Sequence, residues 1–298
     1  MSVEVLAVEK YYGKQKALDK VGFIIEKPQV VALLGPNGAG KSTLMKIMTT
    51  YLRPDGGTVY VNGYSVTENP MDVRKQVGYL PEHNPLYTDM YVFEYLEFIA
   101  GLYGANKKNI REAVEKTGLL AESHKKIGRL SKGYRQRVGL SAAILHNPSV
   151  LILDEPTTGL DPNQVVEIRN LIKELSHDKI IILSTHIMQE VQKIADRVLI
   201  LDRAQLIADK PVEDIQQTSG IILLELDLKV EPALFNEIKQ IHRVENLGGN
   251  TWELLLKGNE DIRSAVFDWA VKHQLKILRF EMKNTDLENY FRKHTSSK

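Results

Sequence analysis

The sequence predicts an α/β fold with a mostly parallel sheet, and three observations carry that expectation. The runs Val30-Val31-Ala32-Leu33-Leu34, Val150-Leu151-Ile152-Leu153 and Ile180-Ile181-Ile182-Leu183 are continuously apolar, the texture of strands buried on both faces. A helical pattern near 163–175 separates the last two runs, giving the βαβ alternation of a parallel sheet with helices packed on it. The first run feeds into the glycine loop Gly35-Pro36-Asn37-Gly38-Ala39-Gly40-Lys41-Ser42. Beyond the loop, Leu44, Ile47, Met48, Tyr51 and Leu52 recur at helical spacing up to Arg53-Pro54.

A strand, a glycine loop and a helix in that order aim a row of backbone N–H groups and a positive helix end at one point, which is how phosphates are held. Lys41 adds a point charge for the terminal phosphates, and the Ser42 hydroxyl is a ligand for Mg²⁺. The loop therefore predicts a P-loop NTPase core. Such a core needs a second strand bearing a carboxylate. Asp154, at the carboxyl end of the run 150–153, is placed to hold Mg²⁺ directly or through water. Glu155 follows at once; because strand side chains alternate, it points elsewhere, toward an attacking water as general base.

Composition narrows the class. A chain of 298 residues with 43% apolar content suggests two folded domains, or one large domain with an extension. A net charge of +1 gives no bulk electrostatic pull toward nucleic acid or an anionic membrane, and no nucleic-acid partner is expected. The absence of cysteine excludes disulfides, thiolate metal sites and cysteine catalysis, and agrees with a cytosolic protein. The first residues lack the basic start and apolar stretch of a signal peptide. Apolar runs such as 180–183 fall far short of the ~20 residues of a membrane helix, so action on a membrane requires another chain.

The remaining elements fall into place along the chain. Residues 3–8, 21–26 and the alternating 58–63 read as strands of an antiparallel β subdomain, and Val77-Gly78-Tyr79-Leu80 leads to a turn at Pro81-Glu82. From Val92 onward Tyr95, Leu96, Ile99, Leu102 and Tyr103 share a helical face, and residues 84–146 read as a helical subdomain with an aromatic core. The texture changes near 210. The expected layout is a nucleotide-binding domain over 1–210, a linker over 211–220 and an accessory module over 221–298. In the module, strands near 221–228, 243–247, 251–257 and 275–282 and helices near 232–240 and 261–273 give a βαββαβ order, that of a ferredoxin-like module. It carries no catalytic constellation and reads equally as a structural cap or a regulatory element.

Leu130-Ser131-Lys132-Gly133-Tyr134-Arg135-Gln136-Arg137 adds a second phosphate-binding device. Ser131 and the Gly133 amide open a helix whose Val138, Ala142 and Leu145 share a face and which ends at Asn147-Pro148. This stretch resembles the signature of the ATP-binding subunits of ABC transporters, which opens Leu-Ser-Gly-Gly-Gln. Leu130, Ser131, Gly133, Gln136 and Arg137 match it. Lys132 and Tyr134 depart from the usual Gly and Gln; Lys132 either adds charge for a phosphate or sits in solvent, and Tyr134 removes a polar amide.

The resemblance covers residues 3–205 and implies further roles. Tyr12, rather than Tyr11, matches the aromatic that stacks on adenine, and Gly35 through Thr43, including Pro36, Asn37, Gly38, Ala39 and Gly40, hold the phosphates. Ser42, Asp154 and Glu82 serve Mg²⁺, Glu82 standing where most members carry Gln. Lys41, Glu155 as base and His186 as γ-phosphate switch carry the chemistry, while Ser131, Gly133 and Asp161 of the Gly159-Leu160-Asp161 loop serve a neighbouring subunit's nucleotide. ATP and Mg²⁺ are then the cofactors. The partners are integral-membrane permease subunits at the cytoplasmic face of the inner membrane, and the active unit is a homodimer or a pair with a related ATP-binding subunit. The Tyr79–Glu82 turn resembles that of the exporter group, and residues 130–137 with the C-terminal module resemble the ATP-binding subunit linked to gliding motility. The alternative is an ABC-type ATPase of translation, DNA repair or iron–sulfur assembly; a single set of motifs, short helices and no cysteine weigh against it.

Overall fold

The computed structural model describes residues 1–217, 220–256 and 261–284 together with Phe291 and Thr295. The chain divides into two compact units, Met1–Asp209 and Lys210–Lys298.

The first unit begins with β1 (Val3–Tyr12), β2 (Gln15–Ile25), β3 (Gln29–Leu34) and α1 (Lys41–Met48). It continues through β4 (Gly56–Val61), β5 (Tyr64–Ser65), α2 (Pro70–Gln76) and β6 (Val77–Leu80). The helical segment holds α3 (Val92–Tyr103), α4 (Lys107–Lys116) and α5 (Lys132–Ile144). After it come β7 (Val150–Asp154), α6 (Pro162–Leu175), β8 (Ile180–Ser184), α7 (Met188–Ile194), β9 (Arg197–Asp202) and β10 (Gln205–Pro211).

Two sheets form. The first is antiparallel in the order β2-β1-β4-β5; the second has the order β10-β9-β3-β8-β7-β6, with β9, β3, β8, β7 and β6 paired in parallel. Every side chain of β7 and β8 is buried, as the unbroken apolar runs require of strands covered on both faces. Helix α1 lies in one core cluster with side chains of both sheets: Leu44, Met45, Ile47 and Met48 have no exposure and share that cluster with Val3, Val59, Ile152 and Ile182. An eight-residue helix is marginal alone. Full burial of side chains of this size contributes about 1.5–3 kcal/mol each, and this packing fixes the helix end that the glycine loop feeds.

Helix α1 stops earlier than its apolar spacing suggested. Thr50 adopts a left-handed backbone (φ 62°), and the amides of Tyr51 and Leu52 both donate to Lys46 O at 2.8 and 3.0 Å. That closes the helix before Arg53 and leaves Tyr51 largely exposed.

The second unit contains α8 (Val212–Gln217), β11 (Gly220–Leu226), β12 (Ile241–Gly248), β13 (Thr251–Leu256), α9 (Arg263–Lys272) and β14 (Ile277–Asn284). The sheet order is β12-β13-β11-β14 with every neighbouring pair antiparallel, the ferredoxin-like arrangement. Two features differ from expectation. Most of the expected linker 211–220 is helix α8, with Pro211 just before it and Glu213 and Asp214 in its first turn, both favourable at a helix N-terminus; Thr218 and Ser219 lie outside the described residues. The first crossover is not an α-helix near 232–240 but a 3-10 segment, Pro232–Glu237, ended by extended backbone at Ile238 (φ −90°, ψ 94°). Phe235 and Ile238 are both buried, and Phe235 lies between Trp252 and Trp269 with ring centroids 5.1 and 4.8 Å away. One aromatic anchor fixes this crossover where a helical stripe was expected. The expected stretch 221–298 runs beyond Asn284 into residues that are, apart from Phe291 and Thr295, outside the described set, as are 257–260.

Candidate functional site

Parallel strands bring their carboxyl ends to one edge. Leu33 pairs with Ser184, Asp154 with Ser184, and Leu80 with Leu153, so β3, β8, β7 and β6 end side by side. The segments that follow them carry Gly35–Ser42, Glu155, Glu82 and His186.

The glycine loop is shaped against β2. Gly40 sits at φ 109°, and a Cβ there would lie 2.4 Å from Ala17 O and 2.8 Å from a Leu18 methyl, so only glycine fits. Gly40 caps α1, and the first turn of α1 presents the amides of Ser42 and Thr43. The Lys41 ammonium arches back over the loop, donating to Gly35 O at 2.7 Å and Pro36 O at 3.1 Å. Burial pushes its pKa down, and the charges of Glu155, Asp154 and Glu82 oppose that shift. One cation thus feels three carboxylates from two different strand ends.

Asp154 is buried and accepts from the Ser184 hydroxyl at 2.5 Å across the β7–β8 pair. The same Ser184 Oγ accepts from the Glu155 amide at 3.0 Å. Glu155 departs from β-geometry: its φ is +52°, an uncommon conformation for a long side chain. Its Oε2 accepts from the Thr158 hydroxyl at 2.9 Å and lies 2.9 Å from His186 Nδ1. Only 13% of the Glu155 side chain is exposed against 69% of that of His186, so the imidazole is an outward-facing cover on an inward carboxylate. Below them Tyr79 has its pKa pushed up to about 12, by burial first and then by Asp154, Tyr51 and Glu82. Glu82 is exposed and, with Ser42 and Asp154, lines one groove of about 650 Å³. Past Glu82 this groove runs along Tyr95, Ile99, Leu102 and Tyr103 of α3.

At the other end of the sequence motifs, Ser131 caps α5, its hydroxyl accepting from the Tyr134 amide at 3.3 Å. Gly133 is buried under Gln164: a Cβ at Gly133 would lie 2.2 Å from Gln164 Oε1. Asp161 caps α6, its Oδ1 accepting from the Gln164 amide at 3.0 Å. Lys132 has an exposed position, yet the end of its side chain lies across Gly159 rather than standing free in solvent. Tyr134 makes a cation–π contact with Arg137, the guanidinium carbon 5.8 Å from the ring centroid. Tyr12 closes β1 beside Gly13 and is 50% exposed, whereas the ring of Tyr11 carries the Lys16 ammonium 5.3 Å from its centroid. Of the two tyrosines, Tyr12 has the open face.

The contacts of Thr158, Ser184, Tyr79 and Gln164 were not apparent from the motifs. A hydroxyl residue three positions after the general-base candidate was the one available signal, since Ser and Thr at short spacing bond back to neighbouring groups.

Comparison with known proteins decides the family. A family model described as ABC transporter matches residues 18–158, and an AAA-domain model overlaps it over 126–191. The uncharacterized ABC transporter ATP-binding protein YxlF of Bacillus subtilis is 32% identical over 299 residues, spanning 98% of each chain. The chain belongs to the ABC transporter ATP-binding proteins. The bacitracin transport ATP-binding protein BcrA of Bacillus licheniformis is 28% identical, over 97% of this chain and 95% of that one. Among solved structures, an ATP-binding subunit of an ABC transporter superposes with a TM-score of 0.67 at 30% identity, covering 72% of this chain and 92% of the other.

As a member of this family the ABC protein is an ATPase, the ATP-binding subunit of a transporter. No helix among the described residues is long and apolar enough to cross a membrane. The residues at the strand ends fit a magnesium ion. Ser42 Oγ, the Asp154 oxygen not engaged by Ser184 and the Glu82 carboxylate are hard oxygen donors on one groove. Magnesium sites of this kind combine one or two protein carboxylates with nucleotide phosphates and water.

Proposed function

We propose that this ABC protein hydrolyses ATP to drive export through separate integral-membrane permease subunits, working at the cytoplasmic face of the inner membrane. The observation that carries the chemistry is the Glu155 carboxylate, held between the Thr158 hydroxyl and the His186 ring beside the charge field of Lys41. In this reading Tyr12 stacks on adenine, the Gly35–Thr43 amides and Lys41 hold the phosphates, and Ser42, Asp154 and Glu82 would hold a magnesium ion that would supply charge neutralisation at the phosphates. Glu155 takes the proton of the attacking water, and His186 holds Glu155 on one side and meets the γ-phosphate on the other.

Ser131 and Gly133, with the loop ending at Asp161, complete the nucleotide site of a second copy or of a related ATP-binding subunit. Two such sites make an isologous dimer that closes on ATP and opens after hydrolysis. The groove beside Glu82, with Tyr95, Ile99, Leu102 and Tyr103 on its wall, supports docking of a permease segment. A relative named for bacitracin transport supports export of a compound of that kind. A role in gliding motility is the second reading and rests on the pattern of residues 130–137.

Glu155→Gln tests the assignment. It is expected to retain ATP, to lose turnover by about 10²–10⁴-fold, and to accumulate as an ATP-bound dimer on size exclusion. Near-normal turnover would sink the role of Glu155. Purifying the chain from detergent-solubilised membranes identifies its partner: an efflux-type permease supports export and a motility complex supports gliding. Recovery only with ribosomes or DNA overturns both.

A further inference from the structure

Lys132 stands where the family signature usually has glycine, and the site described above gives it no task. Its placement is specific. The Cδ, Cε and Nζ atoms of Lys132 cross the α-carbon of Gly159 so closely that a Cβ built on Gly159 would lie 2.8, 2.7 and 2.3 Å from them. Gly159 has φ +77°, so the backbone there suits glycine, and the missing side chain is what leaves room for the lysine. One residue along, Gly133 meets Gln164 in the same way. The start of α5 and the turn leading into α6 therefore touch at two adjacent points.

The far side of that turn is the base. Thr158, next to Gly159, donates its hydroxyl to Glu155 Oε2 at 2.9 Å, and its amide donates to Glu155 O at 3.2 Å. A continuous path runs from Lys132 through Gly159 and Thr158 to the Glu155 carboxylate. The atoms nearest that Cβ position run from Cδ through Cε to Nζ, so the whole end of the Lys132 side chain makes the contact.

We propose that Lys132 is a positioning residue: its side chain ties the signature, which serves one nucleotide, to the loop that holds the base for the other. This inference rests on the dimer reading above. Closure of the signature on the partner's ATP then sets the Gly159 turn, and with it the Thr158–Glu155 contact, in the same chain. The lysine adds a direct side-chain contact to the coupling between the two sites, one that a glycine at 132 has no atoms to make.

The test uses the full chain, with turnover measured against ATP concentration and against protein concentration, alongside ATP affinity. Lys132→Ala is expected to lower turnover by roughly threefold to thirtyfold, the range of a coupling between touching groups, and to bring the Hill coefficient for ATP toward 1. ATP affinity of the isolated subunit stays unchanged. Lys132→Met, which keeps the stem and discards the charge, restores both turnover and cooperativity. A Met variant as impaired as the Ala variant overturns the proposal, because the ammonium would then be acting on phosphate. An Ala variant with wild-type turnover and Hill coefficient overturns it too. A wild-type chain that stays monomeric with ATP on size exclusion and keeps the same specific turnover at every protein concentration overturns the dimer reading and this inference with it, whereas an ATP-dependent dimer with an unaffected Ala variant overturns the strut alone.

Discussion

The two units of the chain are both sheets with helices laid on them, yet only one concentrates chemistry. In Met1–Asp209 the strands β3, β8, β7 and β6 run parallel, so four successive carboxyl ends deliver Gly35–Ser42, His186, Asp154–Glu155 and Glu82 to one edge. In Lys210–Lys298 each strand runs opposite to its neighbours in the sheet, so the carboxyl ends of adjacent strands lie at opposite edges. Its large buried side chains serve packing: Phe235 between Trp252 and Trp269, with the Trp269 indole donating to Leu234 O at 3.1 Å. Strand direction, more than composition, decides which sheet can assemble a site.

The most forceful way to break that contrast is Phe235→Ala. Emptying the aromatic centre of the second unit is expected to cost about 3–5 kcal/mol there, read as a lowered unfolding midpoint of that unit by differential scanning calorimetry. ATP affinity is expected to stay within twofold of the parent; a large loss of affinity would mean that the two units do not separate energetically.

Tyr12→Ala sharpens the picture inside the first unit, because the proposed adenine contact of Tyr12 would extend the site beyond the parallel edge onto the β1–β2 hairpin. ATP binding is expected to weaken by about 1–3 kcal/mol, the worth of a base stacked on an aromatic ring, while Tyr11→Ala leaves it nearly unchanged. The reverse order, measured by titration calorimetry, transfers the adenine contact to Tyr11.

The smallest effect concerns His146. Its ring stacks on Tyr103 with centroids 3.9 Å apart, Nε2 lies 3.2 Å from Val77 O, and burial holds its pKa down to about 4, with Lys179 adding to the depression and the Val77 carbonyl opposing it. The unfolded chain takes up this proton below about pH 6.5, the folded chain only near pH 4, so stability falls as pH drops through that window and is unaffected above it. Urea unfolding at pH 7 and pH 4.5 is expected to show the parent losing on the order of 1–2 kcal/mol more than His146→Gln. Equal losses would mean that the imidazole charges without penalty in the fold.

Much of this was legible in the sequence, and the exceptions share a cause. Apolar runs and a glycine loop are local patterns, so β3, β7 and β8 and their helices followed from them directly. The Ser184–Asp154 bond, the Thr158–Glu155–His186 group and the Lys132–Gly159 contact join segments whose meeting depends on register and turn geometry, which no local spacing encodes. The α-helix expected near 232–240 misled for a related reason: Leu234, Phe235 and Ile238 are apolar in either helix type, and the packing of Phe235 against two tryptophans selected the tighter one.

The left-handed backbone at Glu155 has a consequence for how this enzyme tolerates change. Glycine, asparagine and aspartate adopt that conformation more easily than glutamate, by an amount on the order of 1 kcal/mol. Glycine or asparagine at 155 would relax the chain and leave no carboxylate to accept a proton; aspartate would keep one, drawn back by a methylene from Thr158 and His186. With Glu155 as the proposed base, selection for thermal endurance alone would drift toward an inert protein at this position, and robustness and turnover would pull in opposite directions at a single dihedral angle.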